Sequence, residues 1–262
     1  MTDPQGWGKR MLFLGSLELN PGTPRVAVGF SEVPDQACVE RFRRDGVDIA
    51  EVRLDQFKSL EHDHITSTLT LFRDALPTIA TIRISDEGGG WRDTEEARQR
   101  LFEVILPYVD AVDVELRATD TLNKLRGKVK KSGKLLVVSH HDYATTPDRD
   151  SLQAIVRSAK ETGADIIKIA TLIKDDKHIR DLASLLVSRD EDNMIVIGMG
   201  SAGTATRVLF PALGSLVTFA FASDFRTAPG QLAFDQMYDM LRVLYPKYNE
   251  ETISKRELLE AV

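Results

Sequence analysis

Two apolar segments of this chain carry side chains whose nitrogen atoms could do covalent and acid–base chemistry. The segment 134–143 contains His140 and His141, and the segment 164–170 contains Lys168. Both are predicted to be strands buried on two faces, because apolar and β-branched residues continue without alternation. Burial disfavours the ammonium form, so a nucleophilic amine is expected near neutral pH, and a neighbouring imidazole can transfer protons. This combination predicts imine chemistry on a carbonyl substrate.

The elements that must position these side chains alternate regularly along the chain. Eight apolar segments are predicted to be strands: 25–30, 49–55, 78–84, 111–116, 134–140, 165–171, 194–199 and 216–222. Eight helical patterns lie between and after them: 33–45, 59–76, 93–108, 119–132, 150–162, 174–188, 202–213 and 231–245. Strict alternation predicts a single (β/α)8 TIM barrel, and a doubly wound eight-stranded sheet is the alternative that periodicity leaves open.

Local signals refine two of the predicted helices. In the helix 93–108, Asp93 and Glu96 have the spacing of a capping box. The apolar face of that helix is predicted to consist of Ala97, Leu101, Val104, Ile105 and Tyr108. Pro211 falls inside the helix 202–213, which is therefore expected to be broken or to start late.

The two ends of the chain lie outside the repeat. Residues 1–23 precede it, and 12–19 are expected to form a short strand or hairpin that closes the N-terminal end of the barrel. A C-terminal tail, 246–262, is expected to contain an amphipathic helix over 250–262. No linker or shift in composition divides the chain, so we expect one catalytic domain over residues 1–262.

Composition narrows the class of protein. The chain has 262 residues, 42% of them hydrophobic, which is enough for one large core. The net charge of −6 argues against binding of nucleic acid, and no apolar run reaches the roughly 18 residues of a membrane span. The single cysteine, Cys38, excludes an intramolecular disulfide and fits a reducing compartment. We therefore expect a cytoplasmic enzyme without membrane association.

Polar residues cluster where the predicted strands end, which is where a barrel of this kind has its active site. A period of two places Glu51, Arg53 and Asp55 on one face of strand two, and Asp113 and Glu115 on one face of strand four. Arginines can hold a carboxylate in a bidentate manner, and hydroxyl and amide groups suit substrate hydroxyls. The further polar residues at strand ends or just beyond them are Arg83, His140, His141, Lys168, Arg207, Thr227 and Gln231. Together they describe a small anionic polyhydroxy keto acid as substrate.

The order and spacing of these residues resemble one known family. The motifs are Glu51-x-Arg53-x-Asp55, Arg83-x-x-x-Glu87-Gly88-Gly89, Asp113-x-Glu115, Ser139-x-His141-Asp142-Tyr143 with Thr146-Pro147, Asp165-Ile166-Ile167-Lys168-Ile169-Ala170, Arg207, and Ala228-Pro229-Gly230-Gln231. From Arg25 to about Tyr245 the chain is similar to the type I (class I, Schiff-base) 3-dehydroquinate dehydratases of the shikimate pathway.

The resemblance implies roles for the site residues. Lys168 corresponds to the imine-forming lysine, His141 to the general acid/base and Glu87 to an accessory group that supports the histidine. The substrate-binding residues implied are Glu51, Arg53, Arg83, Arg207, Thr227 and Gln231, with Arg207 the main carboxylate anchor. The implied activity is that of a hydro-lyase: syn elimination of water from 3-dehydroquinate to 3-dehydroshikimate, without metal or cofactor. The family is commonly homodimeric.

This chain departs from the family pattern at two positions. Thr227 stands where serine is usual, which keeps the hydroxyl and adds a methyl group that stiffens χ1. His140 stands where tyrosine or asparagine is usual, so two adjacent histidines compete for the catalytic role. We favour His141, because it directly precedes Asp142 and because adjacent residues of a strand face opposite ways.

Other interpretations follow from the same residues. A class I aldolase would account for Lys168 and the barrel, but not for the arginine set. A non-catalytic relative could bind a shikimate-type metabolite as a sensor or scaffold, and the chain could be one part of a larger multifunctional enzyme. Glu61-His62-Asp63-His64 is expected to be a solvated helix start rather than a metal site, because residues two apart on a helix diverge. The glycines of 198–203 are expected to approach an anionic substrate with their backbone.

Overall fold

Eight parallel strands form the barrel that the alternating pattern predicts. In the computed structural model, which describes residues 12–32, 34–188, 192–222 and 230–260, the strands pair in the order β10-β3-β4-β5-β6-β7-β8-β9. Their bounds are β3 (Arg25–Phe30), β4 (Ile49–Arg53), β5 (Thr78–Thr81), β6 (Ala111–Glu115), β7 (Leu135–Asp142), β8 (Ile166–Leu172), β9 (Met194–Met199) and β10 (Val217–Ala220). The chain is therefore a (β/α)8 TIM barrel, as predicted.

The barrel closes where its last two strands meet. At their N-terminal ends, the Leu216 amide donates to the Met194 carbonyl at 2.9 Å. The Val196 amide donates to the hydroxyl of Ser215 at 3.0 Å, so the two strands are also joined through a side chain. These bonds complete a nearly closed ring, in which each parallel strand is followed by helical structure.

Helices surround the strands. Their bounds are α1 (Gln36–Asp45), α2 (His62–Arg73), α3 (Glu95–Ile105), α4 (Thr119–Lys131), α5 (Arg149–Glu161), α6 (Asp176–Ser188), α7 (Thr206–Leu209), α8 (Phe234–Leu244) and α9 (Pro246–Glu260). Among the described residues, no helix combines the length and apolar character needed to cross a membrane. Cys38 lies half-buried in α1, at the edge of the core between helices and strands.

Alternation along the strands separates two hydrophobic regions. On β4, Ala50 and Val52 face the helices, whereas Ile49 faces the interior of the barrel. The same division runs around the ring, so the interior carries Ala27, Ile79, Ala111, Val137, Ile166 and Ile195. Because the side-chain period of a strand is two, each of these inward positions fixes which later residues of its strand also point inward.

A hairpin closes the N-terminal end of this interior, as the sequence predicts. Strands β1 (Leu12–Leu14) and β2 (Leu17–Leu19) pair in antiparallel fashion. Leu14 and Leu19 are buried and belong to the same apolar cluster as the inward residues of the barrel strands. The bottom of the barrel is thus filled by apolar side chains.

The start of α3 and its buried face differ from the prediction. Thr94, not Asp93, is the N-cap, and its hydroxyl accepts from the Ala97 amide at 3.2 Å. Ile105 is buried and Ala97, Leu101 and Tyr108 pack against the core, as predicted. Val104 is exposed instead, and Arg98 and Phe102 are further buried residues of the helix that the prediction left out. Arg98 was left out because an arginine is usually exposed, whereas Arg98 has buried partners.

Two elements near the C-terminus follow from local chemistry. The predicted helix 202–213 is broken into two single turns and α7, and Pro211 is the second residue of the last turn, where a missing amide is tolerated. Helix α9 begins at Pro246, earlier than predicted, and buries Tyr248 and Thr252. The Glu251 carboxylate lies 2.6 Å from the Arg25 guanidinium. The amphipathic character expected of 250–262 depends largely on side chains outside the described ones, and it stays a prediction.

Candidate active site

A pocket opens at the C-terminal ends of the barrel strands. Its empty space is about 460 Å³, including the open mouth. The residues that line it are Glu51, Arg53, Arg83, His141, Tyr143, Lys168, Ala170, Ile197, Met199, Arg207, Phe219 and Gln231. Seven of the predicted site residues are in this wall: Glu51, Arg53, Arg83, His141, Lys168, Arg207 and Gln231. Glu87 lies directly behind His141, and Thr227 falls outside the described residues.

Lys168 lies on β8 and points into the pocket between two carboxylates. Its Nζ atom lies 2.9 Å from Asp113 Oδ2 and 3.1 Å from Glu51 Oε1. The ring of Phe219 covers another side of the ammonium, with its centroid 4.3 Å from Nζ. Both carboxylates and the ring stabilise a cation at this position, so the site is suited to hold a positively charged nitrogen, whether ammonium or iminium.

Arg83 connects the carboxylates of β6 to one another. Its guanidinium lies 2.8 Å from Asp113 and 3.0 Å from Glu115, and it donates to the Ser139 hydroxyl at 2.6 Å. Ser139 in turn donates to Asp113 at 2.6 Å. Burial would raise the pKa of Asp113, but the charges of Arg83 and Lys168 more than compensate and hold it well below its ordinary value. Asp113 is therefore a permanent anion beside Lys168.

The network continues outward into α3 through a fully buried arginine. Arg98 donates to Glu115 Oε2 at 2.5 Å and to the Ile82 carbonyl at 2.8 Å. At the helix surface its guanidinium lies 2.8 Å from Glu95. Glu115 thereby has both oxygens engaged by arginines, which fixes the carboxylate that orients Arg83.

Arg53 is oriented by a carboxylate of its own. Asp55 accepts from two nitrogens of the Arg53 guanidinium, at 2.9 and 2.8 Å. Asp55 also accepts from the Gly90 amide at 2.9 Å, which ties the loop after β5 to the loop after β4. The strand ends at Arg53, and Asp55 lies in the following turn, where it supports the arginine instead of lining the pocket.

His141 and Glu87 form a buried pair. The Glu87 carboxylate lies 3.0 Å from Nδ1 of His141 and accepts from the His141 backbone amide at 2.9 Å. Because the carboxylate occupies Nδ1, Nε2 is the ring nitrogen directed toward the pocket. His140, its neighbour in sequence, does not line the pocket, which agrees with the alternation expected for a strand.

Burial shifts the titration of both members of this pair. Desolvation lowers the pKa of His141 well below its ordinary value, and the charges of Arg83 and Lys168 act in the same direction. Desolvation raises the pKa of Glu87 to about 7, although the charge of Arg83 opposes it. His141 is therefore a neutral imidazole at neutral pH, which is the form that can accept a proton.

Close contacts require glycine at three consecutive positions of the loop after β5, Gly88, Gly89 and Gly90. Gly88 has φ of 76°, in the region that favours glycine, at the end of a single helical turn over Ser85–Glu87. A side chain at Gly89 would meet the Arg83 carbonyl at 1.9 Å, and one at Gly90 would meet the Asp55 carbonyl at 2.4 Å. These contacts press the loop against the strand ends, and this brings Glu87 under His141.

Arg207 lies on the opposite wall, on the short helix α7. Its Nε atom donates to the Gly230 carbonyl at 3.0 Å, and Nη1 donates to the Phe219 carbonyl at 3.2 Å. Burial lowers its pKa to about 10, so an anion bound beside it would relieve a destabilised cation. Gln231 lines the same part of the pocket.

The glycines of 198–203 and the histidines of α2, two motifs prominent in the sequence, do not line the pocket. The glycines of 198–203 pack against the protein: a side chain at Gly203 would meet the Gly198 carbonyl at 2.4 Å. None of the three lines the pocket, and close packing of the chain on itself accounts for them; their expected approach to substrate stays a prediction. His62 and His64 are exposed at the start of α2, as expected for a solvated helix start.

Sequence reasoning missed several residues that shape the site. Asp113 was noted without a role, although its inward face follows from the alternation shared with Glu115. Arg98 had a detectable signal, since it falls four residues before Phe102 on what proves to be the buried face. Nothing in the sequence indicated that the Phe219 ring would lie over Lys168, because that contact depends on closure of the barrel.

Comparison with known sequences gives a consistent result. The family model described as type I 3-dehydroquinase matches residues 27–248. A 3-dehydroquinate dehydratase of Methanococcoides burtonii is 33% identical over 238 residues, covering 89% of this chain and 100% of that protein. One from Aquifex aeolicus is 31% identical over 223 residues, covering 84% of this chain and 98% of that protein.

Solved structures agree with the sequences. The crystal structure of 3-dehydroquinate dehydratase from Geobacillus kaustophilus superposes with a TM-score of 0.83 at 27% identity, covering 90% of this chain and 96% of that one. The structure of 3-dehydroquinate dehydratase from Aquifex aeolicus gives a TM-score of 0.75 at 29% identity, covering 84% of this chain and 99% of that one.

Proposed function

The chain belongs to the type I 3-dehydroquinase family and is a hydro-lyase, a 3-dehydroquinate dehydratase, and from this premise we propose that it removes water through an imine on Lys168. The observation that carries the proposal is the pairing of Lys168 with two carboxylates in the same pocket as a neutral, carboxylate-supported His141. The two residues lie on adjacent strands, since Lys168 pairs with Ser139 and His141 pairs with Ala170.

The first step forms the imine. Lys168 passes a proton to Glu51, and the free amine attacks the ketone carbon of 3-dehydroquinate. A proton moves within the adduct from nitrogen to oxygen, and Glu51 returns its proton to the resulting hydroxyl. That hydroxyl leaves as water and a protonated imine remains. Glu51 and Asp113 stabilise this cation as they stabilise the ammonium, and the permanent charge of Asp113 keeps one counter-ion in place throughout. The imine nitrogen then acts as an electron sink for the adjacent carbon.

The second step is the elimination itself. Nε2 of His141 removes a proton from the carbon next to the imine, and the electrons flow to nitrogen to form an enamine. The imidazolium then protonates the departing hydroxyl, which leaves as water from the same face. Hydrolysis of the conjugated imine by water releases 3-dehydroshikimate and the Lys168 amine. Glu87 holds the imidazole in the required tautomer and stabilises the imidazolium between the two proton transfers.

Charged side chains on the two walls of the pocket bind different groups of the substrate. Arg207 lines the pocket, and burial lowers its pKa to about 10, so a bound anion would stabilise its charge; we assign it as the anchor for the substrate carboxylate. Arg53 and Arg83 already have carboxylate partners within 3 Å, so they and Glu51 are suited to neutral hydroxyl groups. Gln231, and Thr227 on sequence grounds, complete the carboxylate side.

The setting of the enzyme is part of the proposal. We place it in the cytoplasm and in the shikimate pathway, as one catalytic domain over residues 1–262 that needs no metal or cofactor. We also propose a homodimer, supported by exposed apolar residues on α7 and α8, where Val243 is 82% and Leu244 60% exposed. Light scattering checks the oligomer: Val243→Glu with Leu244→Glu should convert a dimer into an active monomer, and a monomeric wild type would contradict it.

An absorbance assay tests the activity. Elimination converts an isolated ketone into a conjugated enone, so turnover of 3-dehydroquinate is followed directly in the ultraviolet. We expect saturable turnover without added metal and in the presence of a chelator. A folded protein that does not turn over 3-dehydroquinate but cleaves an aldol substrate would support an aldolase instead. Binding of a shikimate-type metabolite without turnover would support a sensor or scaffold.

A further inference from the structure

Tyr143 occupies a position in the pocket wall to which no role has yet been given. It follows β7 directly and lies two residues after His141, so it continues the inward-facing row of that strand. It lines the pocket and is 41% exposed. A half-exposed tyrosine at the mouth of a charged pocket combines a rigid apolar ring with a polar tip.

The ring of Tyr143 lies against the loop that carries Glu87. A side chain at Gly88 would meet ring atoms of Tyr143 at 2.5 Å and its hydroxyl oxygen at 2.6 Å. Glycine at this position therefore makes room for the tyrosine as well as adopting a positive φ. The contact fixes where the hydroxyl lies, because the ring cannot move toward the loop.

Tyr143 and Arg207 line the same pocket. Tyr143 is close enough to Arg207 for the two side chains to interact electrostatically. Within the part of the chain that the structure describes, the Tyr143 hydroxyl makes no hydrogen bond, unlike that of Tyr245, which donates to the Val208 carbonyl at 2.6 Å. The phenol is thus a donor in the wall of the pocket that also contains the buried guanidinium of Arg207, with its hydrogen-bonding capacity available to a ligand.

We propose that Tyr143 is a specificity-determining residue whose hydroxyl donates a hydrogen bond to the substrate carboxylate held by Arg207. The inference rests on the proposed function and deepens it by adding a donor to the carboxylate site. A carboxylate has room for both partners, since its two oxygens offer about four acceptor positions. The hydroxyl contributes to binding in the ground state and in the transition state alike, so it acts on KM more than on kcat.

Steady-state kinetics of Tyr143→Phe tests this role. We expect KM for 3-dehydroquinate to rise by about tenfold, with kcat within about twofold of wild type, because a hydrogen bond to a charged group is lost while the ring stays. The matched control is Tyr108→Phe, which removes a hydroxyl from the turn before β6 at the other end of the barrel. An unchanged KM in Tyr143→Phe, with wild type active, would overturn the inference and leave the proposed function standing.

A double-variant cycle shows whether the hydroxyl and Arg207 act on the same group. Tyr143→Phe should raise KM much less in an Arg207→Lys background than in wild type, because the two contacts share one carboxylate. Fully additive effects would place the hydroxyl elsewhere and contradict the proposal. A wild-type protein that does not turn over 3-dehydroquinate would refute the proposed function, and the inference would fall with it. The two failures are therefore distinguishable.

Discussion

The two ends of the barrel interior use the same inward-facing rows for opposite purposes. At the N-terminal end the rows carry apolar residues such as Ile49, Ala111 and Ile166, sealed by Leu14 of the hairpin. Two residues further along the same strands, the rows carry Glu51, Asp113 and Lys168. A step of two residues therefore separates a hydrophobic seal from a charged pocket. The same two-residue periodicity therefore supplies both the apolar N-terminal end of the barrel interior, called the floor below, and the charged pocket at the C-terminal end, called the mouth.

The two ends also differ in what holds them together. Burial of apolar surface stabilises the floor, whereas the mouth depends on ion pairs that must offset the desolvation of their own charges. Arg83 with Asp113 and Glu115, and Arg98 with Glu115, are satisfied on both sides. Because such networks add little net stability, we interpret them as devices that fix the geometry around Lys168.

The largest expected effect is at Lys168. Lys168→Arg keeps a cation between Glu51 and Asp113, so the fold and the ion pairs should survive, but a guanidinium cannot form the imine. Turnover of 3-dehydroquinate should fall to background. The absorbance assay, together with circular dichroism of the variant, checks this. Substantial turnover by a folded Lys168→Arg variant would contradict covalent catalysis.

The next effect is at His141. His141→Ala should slow turnover by roughly 10²–10⁴-fold, because both proton transfers lose their catalyst, while the imine still forms. His140→Ala is the matched control: it should have little effect, since His140 faces away from the pocket. Measuring kcat for both variants checks the choice between adjacent histidines. If His140→Ala were the slower enzyme, the assignment would be reversed.

The pH dependence reports on Glu87. Its pKa is raised to about 7, so the carboxylate loses its charge as pH falls through that value. Protonated Glu87 would donate to Nδ1 and leave Nε2 carrying the proton, a tautomer that cannot act as a base. We expect kcat/KM at pH 6 to be roughly tenfold below its plateau, from the fraction of Glu87 ionised one unit below its pKa.

Glu87→Gln separates this titration from others. The amide oxygen can still accept from the His141 backbone and ring, so some activity should remain, but the limb near pH 7 should disappear. A full kcat/KM profile of the variant from acid to neutral pH is the measurement. Persistence of the same limb in Glu87→Gln would assign the titration to another group.

The smallest effect on catalysis is expected at the floor. Leu14→Ala should lower the free energy of unfolding by about 2–5 kcal/mol, because Leu14 is fully buried under the barrel, while kcat stays within about twofold. Phe13→Ala is the control, since Phe13 is 46% exposed and should cost less than about 0.5 kcal/mol. Urea unfolding and the turnover assay measure the two quantities. A large loss of kcat in Leu14→Ala would break the separation of the two ends.

Sequence patterns predicted most of the secondary structure and topology but few of the side-chain contacts in the site. The strands were located to within three residues at each end, because continuous apolar runs mark strands buried on both faces. The break at Pro211 and the N-terminal hairpin also followed from local chemistry. The inward row was predictable too, and it placed Glu51 and Arg53 correctly in the pocket.

The remaining features depend on distances across the barrel. Periodicity gave no partner for His141. The family resemblance suggested Glu87, and the structure places its carboxylate 3.0 Å from Nδ1, on a glycine loop that follows another strand. The burial of Arg98 on α3 was not predicted, because it depends on partners distant in sequence, such as Glu115, 17 residues later. Contacts between side chains distant in sequence depend on strand register and barrel closure. The hydrophobic periodicity of a single strand or helix carries no information about either.

Chemical trapping tests the central claim most directly. We would mix the protein with 3-dehydroquinate, reduce with borohydride, and measure the intact mass followed by peptide mapping, with the Lys168→Arg variant alongside. The account predicts a single ligand adduct on the peptide that contains Lys168, and none on the variant. A wild-type protein that turns over 3-dehydroquinate without a trapped adduct, or with the adduct on another lysine, would contradict it.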